Sequence, residues 1–303
     1  MTNLKKSMLA MSIMAMPFAA SAEMQALGDQ DMGSITGQAG VSIELETQVN
    51  IGQFIYTDEG SFSISDIAIG GSDLHNLDDD DSTQMFTEIT GANRDLLELD
   101  NTSDLIDDIV INIDIADDGD ALIEVRPSPN QLAPVDFAVT AGEMRLGSQD
   151  GSTSTLVANN LSVRGLINRL DIFVDSGADS ARFQMQQNGI TEEINIHTIV
   201  AIDDLDVDIS MLGVGIRDFR MTGAGYLYGD DANPSIATLG ADIKMSIYAD
   251  QRADGGDALA VDLQNFEADM EIGQVLIGGA SIGTIGIDNL SVQNTQMRVY
   301  GHD

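Results

Sequence analysis

The chain has 303 residues, 50 of them acidic and 13 basic, and its net charge of −37 excludes the basic patch that nucleic-acid binding requires. The same charge argues against docking on anionic lipid headgroups. An apolar fraction of 43% separates the chain from disordered acidic tails. The complete lack of cysteine leaves burial and sheet hydrogen bonds to stabilise the fold and removes any thiol for a lipid anchor.

The first predicted element is an export leader. Lys5 and Lys6 supply the positive start, Met8 to Phe18 the short apolar run, and Ala20-Ser21-Ala22 the small-residue cleavage site before Glu23. The run is shorter than the roughly 20 residues of a membrane-spanning helix. Residues 1–22 are therefore read as a signal peptide. The expected location is exported: periplasm, outer-membrane-associated or cell surface. An uncleaved leader that anchors the chain in the inner membrane is the alternative.

Met24, Leu27, Asp31 and Ile35 then recur at near-helical spacing, and Gly33 and Gly37 end the pattern. This predicts a short N-terminal helix that either caps the core or inserts into a partner. From Gly40 the period becomes two. Val41, Ile43 and Leu45 alternate with Ser42, Glu44 and Glu46, and Gly52 is expected to break that strand with a bulge. Asp58-Glu59-Gly60 predicts a turn into a second strand, Ser61 to Ile69. Residues 72–107 show little periodicity, apart from a solvated acidic run at Asp78 to Asp81 and one turn of helix at Arg94 to Leu99.

Ile109, Ile111, Ile113 and Ile115, then the turn Asp117 to Asp120, then Ala121, Ile123 and Val125 predict a hairpin. Pro127, Pro129 and Pro134 mark a loop at 127–134, expected to divide a 23–126 lobe from a 135–303 lobe. In the second lobe alternation recurs at Leu161 and Val163, at Leu170 to Val174, at Ile194 to Ile202, at Leu205 to Met211 and at Leu239 to Ile247. Nothing of comparable length has a period near 3.6.

A weak internal echo runs through this half. Asn159-Asn160-Leu161-Ser162-Val163 is matched by Asp288-Asn289-Leu290-Ser291-Val292, and more loosely by Asp203-Asp204-Leu205 and Gln264-Asn265-Phe266. Each reads as strand, an Asn/Asp corner, then strand, since Asn and Asp tolerate the left-handed backbone. The fold expected is all-β: an elongated antiparallel β-sandwich or β-roll of repeated strand–corner–strand units, preceded by the short helix.

Candidate chemistry is sparse. Gly279-Ala280-Ser281-Ile282-Gly283 fits the pattern of a hydrolase nucleophile elbow, but strand continues after it where the elbow needs a helix. Asp114 to Val125 is arranged like an EF-hand loop, yet Ala116 and Val125 occupy two ligand positions, so that motif is rejected. A looser calcium site from Asp117, Asp118 and Asp120, or from Asp254 and Asp257, is the metal candidate, and tight turns account for the same residues without an ion. His75, His197 and His302 lack metal-ligand spacing, and His197 is expected at the surface or rim of its strand. A transmembrane barrel is disfavoured by the absence of tryptophan and the five tyrosines, too few for two aromatic girdles.

The stretch Leu27 to Ile43 carries Asp29 and Asp31 into Thr36-Gly37-Gln38-Ala39-Gly40 and then an alternating strand. It resembles a family of exported proteobacterial proteins that includes sequences labelled pilus-assembly protein FilA. Asp288-Asn289-Leu290 followed by Thr295 to His302 is similar to the close of those proteins. The resemblance implies an envelope or surface component and carries no catalytic residues.

These observations predict a non-enzymatic exported protein, a structural or assembly component of a pilus-like or filament system. It would act through contacts with an envelope or surface protein partner or through self-association, with no cofactor beyond the calcium considered above. The alternative is a periplasmic β-groove protein that assists an outer-membrane transporter in taking up a lipid or hydrocarbon ligand.

Overall fold

The computed structural model describes residues 40–72, 74, 104–116, 119–129, 134–175, 192–229 and 236–301. The expected leader, the helix expected at Met24 to Thr36, and the segments at Asp78 to Asp81 and Arg94 to Leu99 lie outside the described residues. The described residues, all from Gly40 onward, belong to one compact unit.

Thirteen strands are described: β1 (Val41–Thr47), β2 (Val49–Thr57), β3 (Gly60–Gly70), β4 (Ile106–Ile115), β5 (Ala121–Pro127), β6 (Val135–Ala141), β7 (Met144–Ser148), β8 (Ser154–Val174), β9 (Glu193–Ile209), β10 (Val214–Thr222), β11 (Ala241–Gln251), β12 (Asp257–Ile277) and β13 (Ala280–Val299). One four-residue helix, α1 (Ile236–Leu239), precedes β11. All pairings are antiparallel, and all strands join a single sheet. The all-β, antiparallel expectation holds.

The register arranges this sheet in eight ranks. β8 pairs β9 along one side; along its other side β7, β6 and β5 succeed one another. β3 pairs β6 and β7, β4 pairs β5, and outside these lie β2 on β3 and β1 on β4. On the far side β9 is covered by β11 and β10 in line, these by β12, and β12 by β13. Strands on both sides of the 127–134 segment thus share the sheet: β5 and β6 both pair β8.

The Asn/Asp corners are β-bulges inside long strands. Asn160 lies in the shift between the Asn159–Asp208 and Ser162–Asp206 pairs, and Asp203 is the extra residue between Arg164–Asp204 and Gly165–Ile202. Gln264 is the extra residue on β12 against β11, and Asp288-Asn289 face Asp269 between the Ala268–Leu290 and Met270–Ile287 pairs. Each bulge resets the two-residue alternation without ending the strand. A further bulge at Asn168, the extra residue on β8 between the Ile167–Val200 and Arg169–Ile199 pairs, is why Leu161 and Val163 stand out of phase with Leu170, Ile172 and Val174 although all five belong to the 21-residue β8. Asn160 and Asn289 take the expected positive φ, 55° and 53°; Asp203, Asp204, Gln264 and Asn265 do not.

Two boundaries differ from expectation. The first strand breaks at Gln48, where pairing passes from β4 to β3, and Gly52 continues within β2. Met211, expected to extend the Leu205 to Ile209 face, lies in the Ser210 to Gly213 turn with 57% of its surface exposed, because Gly213 at φ 64° reverses the chain into β10.

The buried residues are small along much of the sheet: Ala68, Ala138, Ala201, Ala241, Ala260 and Ala268. Leu74, Leu166, Phe173 and Leu239 are the large fully buried apolar side chains. Each contributes roughly 1.5–3 kcal/mol by leaving water. Buried polar groups bond across strands: Ser246 Oγ donates to Asn195 Oδ1 (2.6 Å), and Tyr248 Oη to Asp262 Oδ2 (3.0 Å).

Candidate functional site

The acids singled out in the sequence do not converge. Asp117 and Asp118 lie outside the described residues. Asp120 is fully buried, and its carbonyl accepts the Ala116 amide (2.8 Å) to close the β4–β5 turn. Asp254 accepts the Gly256 amide (3.1 Å) and pairs with Arg252 Nε (3.0 Å), which is the work of a turn residue. Asp257 opens β12 opposite Gln251.

A different trio does converge. Carboxylate oxygens of Asp204, Asp206 and Asp218 lie within 4.8 Å of one another. Asp204 and Asp206 point to one face of β9 because they are two residues apart. Asp218 joins them from β10, where its backbone sits at φ 53° and its amide donates to Asp206 Oδ1 (3.0 Å). That geometry is made room for by Gly273 across the β10–β12 ladder: a Cβ there would stand 2.7 Å from the Asp218 Cβ.

Burial, then the charge of Asp206, pushes the Asp204 carboxyl up to about 6, and burial also raises Asp206. Asp208 is held low by hydrogen bonds from Asn160 (3.0 Å) and Arg217 (2.6 Å). Three carboxylates around one space are the donor type that hard divalent cations take. The signal was present in Asp204-Leu205-Asp206-Val207-Asp208, acids two apart on one strand face. Asp218 was out of reach without the β9–β10 pairing.

His197 departs from expectation. Its side chain is 12% exposed, and Nε2 lies 2.8 Å from Asp242 Oδ1 on the paired β11. Burial lowers its pKa despite the nearby carboxylate, with Arg169 and Lys244 adding to the fall. A single-strand view missed this, because the neighbouring strand covers the ring. Ser281 stands just after a two-residue hairpin turn, Gly278-Gly279 at φ 59° and 81°, and is exposed on β13. Both φ values being positive suits the primed turn that joins twisted strands. No helix follows, so the elbow context is absent.

The sheet margins are the most unusual surface. Among the described residues β1, β2 and β13 each pair on one side only. Open edges normally carry charge that prevents association. Here, in a chain with 50 acids, residues 47–57 hold no charge at all, and β13 holds only Asp288 and Arg298. Large apolar side chains stand exposed on both margins: Ile51, Phe54 and Tyr56 on β2, and Ile282, Ile285 and Met297 on β13. A cleft of about 370 Å³ beside β1 is lined by Glu44, Leu45, Glu46, Ile109, Val110 and Ser128. Its two carboxylates do not suit a hydrocarbon chain.

No curated protein and no solved structure matches the chain. Residues 1–117, which include β1 to β4, match the model of a family of unknown function, DUF6160.

Proposed function

We infer that the chain is a non-enzymatic exported protein of the cell envelope or surface, a structural or assembly component of a pilus-like or filament system that works through protein–protein contacts. The observation that carries this reading is the pair of sheet margins left open among the described residues, rich in exposed apolar side chains and charged only at Glu44, Glu46, Asp288 and Arg298, in a chain of net charge −37. Such an edge offers unpaired backbone donors and acceptors to an added strand, and alternate apolar side chains give the contact its grip. The leader-like start at Lys5 to Ala22 and the resemblance at Leu27 to Ile43 and Asp288 to His302 support the setting.

The test is fractionation of host cells that carry either the native protein or the Ile51→Lys/Ile285→Lys variant. The native protein is expected in the envelope fraction, and the variant, folded by circular dichroism, is expected to be released from it. A cytosolic native protein, or a variant retained as firmly as the native one, overturns the reading.

A further inference from the structure

The two open margins close opposite sides of one sheet. Eight antiparallel ranks alternate in direction, and because the number is even, β1–β2 at one margin runs opposite to β13 at the other. β1 and β2 lie end to end along the same side of β4 and β3, so together they present one margin from Val41 to Thr57. A second copy set beside the first in the same orientation therefore lays its β1–β2 antiparallel to β13, and the alternation continues unbroken.

Charge selects the same arrangement. Antiparallel pairing brings Arg298, which sits at the end of β13 and pairs within its own chain with Asp250 Oδ2 (2.7 Å), to the end of the neighbour's margin that holds Glu44 and Glu46, where its second face of donors can be shared. It sets the uncharged β2 along the earlier part of β13, where Ala280 to Ile287 carry no charge. Parallel pairing would bring Asp288 towards Glu44 and Glu46 and leave Arg298 beside uncharged Tyr56 and Thr57. Elsewhere two copies that each carry −37 repel, so the margins are where approach is least opposed.

Resting on the reading of these margins as contact surfaces, we propose that the occupant of β13 is the β1–β2 margin of a second copy of this chain, joined head to tail. Such a contact uses two different patches and leaves one of each free at the ends, so it propagates as an open series. Because the opposing force is long-range repulsion, assembly grows with salt as the screening length falls from about 10 Å at 0.1 M to about 3 Å at 1 M.

The experiment uses two edge-blocked full-length variants, with circular dichroism confirming that each folds. Ile51→Lys blocks the β1–β2 margin and leaves β13 open; Ile285→Lys does the reverse. Light scattering in 0.5 M NaCl is expected to show a series of masses for the native chain, monomer for each variant alone, and a doubled mass for their equimolar mixture. Adding Arg298→Glu to the Ile51→Lys chain weakens the mixed dimer about fivefold, and Glu44→Arg in its partner restores it. Since the chain has no cysteine, Ile51→Lys/Arg298→Cys mixed with Ile285→Lys/Glu44→Cys yields a disulfide-linked pair under oxidation. A dimer of either single variant alone overturns the head-to-tail pairing. A native monomer at all salt concentrations overturns self-pairing altogether. In that event, release of the double-lysine variant from the envelope preserves the broader reading with a different partner, and retention ends both.

Discussion

Asp269→Ala is expected to loosen the margin strand from within. Asp269 lies on β12 with no exposed surface. Its Oδ1 accepts the amide of Asn289 (2.8 Å), the positive-φ residue of the β13 bulge, and its Oδ2 accepts the amide of Leu227 (3.0 Å) in the turn after β10. One carboxylate thereby pins both the bulge and the turn. Truncation removes the acceptor from two amides, and an orphaned buried donor costs about 1–3 kcal/mol. Leu227 is buried, so its amide bears the larger share; Asn289 is partly exposed, and water recovers some of its loss. The expected total is about 2–4 kcal/mol. Asp269→Asn keeps the shape but turns an amide NH2 towards one donor, so it is expected to cost about 1–2 kcal/mol. Urea unfolding followed by circular dichroism measures both, and amide exchange at Leu227 and Asn289 reports the local loss. An alanine variant within 0.5 kcal/mol of wild type, taken roughly as the scatter of ordinary surface changes, refutes the reasoning. So does an asparagine variant less stable than the alanine one.

The carboxylate trio predicts a pH effect of definite sign. Asp204 and Asp206 have raised folded-state pKa values, so at these two sites the native chain holds more protons than the unfolded one, and their contribution to stability falls as pH rises from about 4 to about 6. Asp204→Asn is expected to raise stability at pH 7 by about 1 kcal/mol, with the full two-unit shift discounted for partial exposure. The difference from wild type should shrink towards pH 4; a variant less stable at pH 7 contradicts the account. Gly273→Ala places a methyl against the Asp218 Cβ at 2.7 Å and is expected to cost about 1–3 kcal/mol, with Asp218→Gly relieving part of it in the double variant. Additive losses in that cycle argue against the contact. Gly279→Ala meets no neighbour within 4 Å, so its cost is backbone strain alone, about 1–2 kcal/mol, while Gly279→Asn should cost less. Equal melting curves for the two variants would count against that turn.

The individual strands were legible because each buries or half-buries alternate side chains, which leaves a period of two in the chain, as at Ile109 to Ile115. The Asn/Asp echoes were legible for a similar local reason: a left-handed residue in a strand demands a side chain that tolerates it. Their meaning was not legible. A bulge exists only relative to a partner strand, so Asn160 and Asn289 became phase resets rather than corners once β9 and β12 were in place. The long strands were concealed for the same reason, since each reset looked like an end.

Local chemistry determined the β class and the hairpin turn at Gly119. Pairing between distant segments decided the rest. It carried Asp218 to Asp204 and Asp206, covered His197 with β11, and left β1–β2 and β13 as the margins of the sheet. Periodicity records which side of a strand is buried, whereas rank order depends on hydrogen bonds between backbones, which carry no side-chain signature.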